Sequence, residues 1–164
     1  MDISVVPLKN MIMQKTIFII ALSLFFIGCD KDEIDNTPPA IEANYLSFPE
    51  NCSEIKRGEN FTFKAKFTDD IELGSFGLDI HHNFDQHNHS TEPGVCPQDP
   101  IKSPSNPFVL IENHEIPAGL TTFEANVSVA VPNDIDTGDY HFMIKVTDKA
   151  GWQTLKGLSV KIIP

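Results

Sequence analysis

The sequence predicts an all-β chain, a β-sandwich of about seven strands with a long histidine-rich loop after the third. Three observations predict it. After residue 40 no segment spaces its apolar residues helically. Several segments instead alternate apolar and polar side chains, most plainly Phe61-Thr62-Phe63-Lys64-Ala65-Lys66-Phe67. Clusters of Gly, Pro, Asn and Asp punctuate them at short intervals, as a sandwich of short strands requires.

Pro38-Pro39 opens the ordered domain, expected over 38–164. Ile41 to Phe48 is expected as the first strand, stopped by Pro49. Glu54 to Asn60 is polar and contains Gly58, so a turn is expected there. Phe61 to Phe67 is the second strand, and Asp69-Asp70 ends it. Leu73 to His82 is the third, with Phe76, Leu78 and Ile80 on one face. Residues 83–107 carry five prolines and no apolar period. Loops beyond about 12–15 residues are uncommon in compact domains and are usually functional or disordered. Phe108 to Ile111 and Thr122 to Val131 are the next strands, the latter with Phe123, Ala125, Val127, Val129 and Val131 in period two. Tyr140, Phe142, Ile144 and Val146 mark the sixth. Trp152 to Ile163 is the last, with Leu158, Val160 and Ile162 inward.

Two short stretches narrow the class. Asp136-Thr137-Gly138-Asp139-Tyr140 resembles the tyrosine corner of immunoglobulin-like domains, in which a Tyr opening the sixth strand bonds back to the preceding turn. Val146 to Trp152 resembles the F–G hairpin of bacterial immunoglobulin-like domains. The fold these resemblances imply is an immunoglobulin-like sandwich.

The first 28 residues read as an address. Lys15 precedes the apolar run Thr16 to Ile27, shorter than the roughly 20 residues that span a bilayer and matching a secretory signal core. Met11 or Met13 would serve as the start, because residues 1–10 add nothing a signal needs. Phe26-Ile27-Gly28-Cys29 resembles the lipobox of bacterial lipoproteins, with Phe26 in place of the more usual leucine. That resemblance implies cleavage before Cys29 and acylation of its thiol and its new amine, a stable anchor. The alternative is an uncleaved membrane helix. Residues 29–37 are a polar, acidic tether. An acidic run after the lipid-bearing cysteine resembles the signal that exports Bacteroidetes lipoproteins to the outer face of the outer membrane; the alternative is a plain solvated linker.

Charge excludes one class of partner. The chain has 12 Lys and Arg against 23 Asp and Glu. Removing residues 1–28 takes Lys9, Lys15 and Asp2, leaving 10 against 22, a net of −12. Such a surface repels phosphate backbones, which argues against nucleic acid and favours cations. With Cys29 lipidated, Cys52 and Cys96 are left in an oxidising compartment, where a disulfide is expected and shared metal ligation is the alternative.

His81 to His89 reads HHNFDQHNH and holds four of the six histidines. Imidazole is the commonest transition-metal ligand, and carboxylate often completes the set. Strand alternation turns Asp79 and His81 outward on the third strand if Leu78 and Ile80 face inward, and His141 outward on the sixth. Those strands are neighbours in an immunoglobulin-type sheet, so His81 and His141 come within reach of one ion. His87 and His89, two apart, fold over the same face. The expected site is His81, His87, His89 and His141 with Asp85 or Asp79, holding zinc or copper; the alternative is a polar loop whose histidines cap turns. His82 is expected to be structural and His114 a surface residue.

The stretches Cys52 to Gly58, Leu78 to Ser90 and Asp136 to Trp152 together resemble a family of uncharacterised Bacteroidetes lipoproteins that share a domain of unknown function, over about Thr37 to Pro164. Gln86 stands where that family is expected often to carry another histidine. The resemblance implies fold and address, and no activity. Three functions follow as expectations: a metal-capture module on the outer membrane surface, partnering an outer-membrane transporter; an adhesive or structural module binding glycan or protein through its loop; and a metal-dependent enzyme, for which no nucleophile elbow, phosphate loop or zinc-protease helix motif is present.

Overall fold

Period-two patterning becomes a two-sheet β-sandwich. The computed structural model describes residues 34–42, 45, 46 and 48–164, so the expected signal segment and Cys29 lie outside the described residues. Every regular element among the described residues is a strand: β1 Ala40–Ile41, β2 Ser53–Lys56, β3 Asn60–Thr68, β4 Leu73–His82, β5 Leu110–Glu115, β6 Thr122–Ala130, β7 Gly138–Asp148 and β8 Gln153–Ile163. One sheet has the order β1-β3-β6 and the other β2-β8-β7-β4-β5. Neighbours are antiparallel except β2, which runs parallel to β8.

The inner faces meet on aromatic rings. Phe63 of the small sheet stacks on Phe142 of the large one at 5.7 Å, and Phe67 lies 5.2 Å from Phe76. Such pairs contribute about 0.5–1.5 kcal/mol each beyond their area. Leu78, Ile80, Tyr140, Phe142, Ile144, Val146, Leu158, Val160 and Ile162 are all buried, as alternation predicts.

Three boundaries differ from expectation, each at a sheet edge. Of the expected first strand, Ile41 pairs with β3, joined by Ala40 before it, and Phe48 makes a single bridge to Lys64; residues 43, 44 and 47 lie outside the described residues. The chain then changes sheets, and the expected turn at 54–60 begins as β2. Its only buried residue is Ile55, so the edge strand shows one apolar position and no visible period. The strand expected at Phe108–Ile111 runs instead over Leu110–Glu115, where Glu112, Asn113 and Glu115 are tolerated because β5 is the other edge. The described residues form eight strands, in keeping with the about seven expected, and the long loop follows β4.

The tyrosine corner is present. The Tyr140 hydroxyl donates to the Asp136 carbonyl at 2.7 Å and accepts the Phe108 amide at 3.1 Å. It therefore joins the start of β7 to the end of the long loop. Tyr140→Phe leaves the buried Phe108 amide and the half-buried Asp136 carbonyl without this partner and should cost about 1–3 kcal/mol. Urea unfolding checks this, and an unchanged midpoint would remove the corner from the list of stabilising contacts.

Candidate metal centre

Register builds the first half of the site. His81 on β4 pairs directly with His141 on β7, and their rings are 5.5 Å apart. The same two strands send Ile80 and Phe142 into the core, so the histidines occupy the outer face of the large sheet. His141 is nonetheless only 1% exposed, because the long loop covers it.

The loop builds the second half. Asn83 donates to the Asp139 carbonyl, and Gln86 takes a left-handed backbone (φ 61°) as the chain turns back. His87 and His89 then sit over the sheet face. The His87 ring stacks near-parallel on His81 at 5.7 Å, and His89 meets His81, His87 and His141 edge-on at 5.5, 4.9 and 5.3 Å. His81, His87 and His89 each present a ring nitrogen, all within 4.8 Å of one another.

Two carboxylates orient this set. Asp79 Oδ1 accepts Nδ1–H of His81, and Asp85 Oδ1 accepts Nδ1–H of His87, each at 2.5 Å. This leaves the Nε2 lone pair of both rings free for a ligand, the arrangement in which carboxylates fix tautomer and ring direction around a metal. The hydrogen bond from His87 holds the Asp85 carboxyl below its usual range.

His141 differs from the other three. Its Nε2 meets the His87 carbonyl at 3.0 Å, and a carbonyl only accepts, so the proton is on Nε2. Nδ1 then carries a bare lone pair, buried and without a partner. An unpaired buried acceptor costs about 1–3 kcal/mol. Burial holds the His141 pKa below the ordinary imidazole value; the hydrogen bond to His87 acts the other way, and the neighbouring imidazoles lower it further. His141 is therefore kept neutral, the form that ligates.

The remaining residues sort cleanly. His82 packs on Phe84 at 5.0 Å and His114 on Phe76 at 4.8 Å, both outside the cluster. Gln86 turns its amide to the Asp99 carbonyl. Cys52 and Cys96 form a disulfide that ties the loop to the β2 edge. Closing 44 residues, it is worth about 4 kcal/mol in the chain-entropy model, against about 1 kcal/mol for each hydrogen bond along the loop. The Lys161–Asp99 ion pair and the Ser105 and Asn106 amides on Asp136 add to it.

One positioning residue escaped the sequence reading. Thr91 donates its amide to the Gly157 carbonyl, and the Gly157 amide donates to Thr91 Oγ1. A Cβ on Gly157 would overlap the His89 carbonyl oxygen. Only glycine lets the loop lie this close to β8, and a glycine inside a strand pattern is the signal that could have found it. Gly157→Ala should lift residues 87–91 and speed exchange of the Thr91 amide at least tenfold with far-UV CD unchanged. Equal exchange rates would show that the loop is held elsewhere.

No curated protein matches this chain. Among solved structures, a mutant SrpA adhesin from Streptococcus sanguinis is similar at 18% identity and a TM-score of 0.43, over 79% of this chain and 57% of that one. The chain thus spans little more than half the length of that relative. A family model for a domain of unknown function, DUF4625, matches residues 27–163. The β-sandwich with its histidine-bearing loop therefore belongs to the DUF4625 family.

Proposed function

We propose that this chain binds a transition metal ion, zinc or copper, through His81, His87, His89 and His141. The observation that carries this reading is the convergence of three ring nitrogens to within 4.8 Å, with a fourth, buried and unpartnered, on the adjoining ring of His141. Tetrahedral zinc holds its nitrogens about 3.3 Å apart, so the rings would draw closer on binding. An all-imidazole set suits zinc and copper better than calcium or magnesium. Asp79 and Asp85 act here as orienting carboxylates, supported by their bonds to the two Nδ1 atoms.

The sequence features at residues 15–29 extend the proposal. A lipid on Cys29 and an acidic tether would hold the module at the outer surface of the outer membrane, where it captures metal for an outer-membrane transporter. The net negative charge would raise the local cation concentration.

Protein purified without a histidine tag should retain about one zinc or copper per chain by elemental analysis. Titration should give an affinity that falls at least a hundredfold in His87→Ala/His89→Ala and ten- to a hundredfold in Asp79→Asn. No uptake at micromolar metal by the wild type would end the reading. Glycan or protein binding that persists after chelation would replace it with recognition by the loop.

A further inference from the structure

A second cluster lies at the start of the described domain and shares no residue with the first. Asp35, Asp69 and Asp148 each present a carboxylate oxygen, all within 4.8 Å of one another. They come from the segment before β1, the turn after β3 and the end of β7.

One oxygen of each already shapes its own turn. Asp35 Oδ1 accepts the Thr37 amide, Asp69 Oδ1 those of Ile71 and Glu72, and Asp148 Oδ1 those of Gly151 and Trp152. The other oxygens of Asp69 and Asp148 are buried with no hydrogen-bond partner, and Asp148 is only 4% exposed. Among the described residues no Lys, Arg or His makes an ion pair with any of the three. Buried carboxylate oxygens without a donor are costly, and each such atom in a folded protein calls for a partner.

We infer that Asp35, Asp69 and Asp148 bind a hard divalent cation, calcium, which locks the segment entering the sandwich onto the β7–β8 hairpin. The donors are all oxygen, which favours calcium over zinc or copper. Calcium's six to eight ligands would be completed by backbone carbonyls and water. The protein partners of this segment are already in place: Trp152 Nε1 donates to the Asp35 carbonyl at 3.1 Å, and the Thr154 hydroxyl to that of Pro39. A cation adds a further link between this segment and the hairpin.

Trp152 is the chain's only tryptophan and sits beside the site, so it reports binding directly. Calcium should change its fluorescence saturably, with Kd about 0.1–1 mM as in extracellular calcium modules, and terbium should show luminescence sensitised by it. Asp69→Asn and Asp148→Asn keep the turn-capping oxygen and should each weaken both signals at least tenfold. His87→Ala/His89→Ala should leave them unchanged. No saturable response by about 10 mM, an order above that range, or full binding in both Asn variants, overturns the inference. Should those variants fold poorly, amide exchange on the wild type decides: calcium must slow residues 35–40 and 148–152 more than the rest, and a uniform effect refutes the site.

Discussion

Everything at the histidine cluster depends on the pairing of β4 with β7. Successive side chains on a strand leave opposite faces, so one register does two things at once. It sends Leu78, Ile80, Tyr140 and Phe142 into the sandwich, and it sets His81 opposite His141 on the outside. A slip of one residue would put the histidines in the core and the apolar side chains in water. The energy that specifies the fold therefore also specifies the site, with no separate device needed to align the first two imidazoles.

The other two imidazoles are aligned differently. His87 and His89 belong to a loop with no sheet pairing of its own, and it is held by a disulfide, ion pairs and carboxylates that accept backbone amides. The disulfide outweighs any single hydrogen bond several-fold. Gly157 sets the height at which the loop can lie, since any side chain there would meet the His89 backbone. The cover also turns an outward-facing histidine into a buried one. His141 then keeps one nitrogen satisfied by His87 and one bare, a state that ordinary packing disfavours and a ligand would relieve.

The two clusters have opposite donor chemistry. The loop gathers imidazoles whose partner carboxylates face their far nitrogens. The cluster around Asp148 gathers carboxylates whose partner amides hold their far oxygens. His81, His87 and His141 each have one ring nitrogen held by the protein, and Asp69 and Asp148 each have one oxygen held and one unpartnered. Imidazole nitrogens suit borderline metals, and carboxylate oxygens suit hard ones.

The sequence by itself determined the class, the strand cores and the neighbourhood of the histidine site. Alternation over Phe61 to Phe67, Leu73 to His82 and Tyr140 to Val146 is a local property, because one buried face writes itself into every second residue. The outward face of His81 and His141 was legible for the same reason, and the Cys52–Cys96 pair from the two cysteines left once Cys29 is set aside. The edge strands at Ser53–Lys56 and Leu110–Glu115 were not, since an edge buries too little to leave a pattern. Nor was the burial of His141, the role of Gly157, or the meeting of Asp35, Asp69 and Asp148 across more than a hundred residues. Those depend on which distant backbones lie against each other, and only the folded sheets and the loop closed over them decide that.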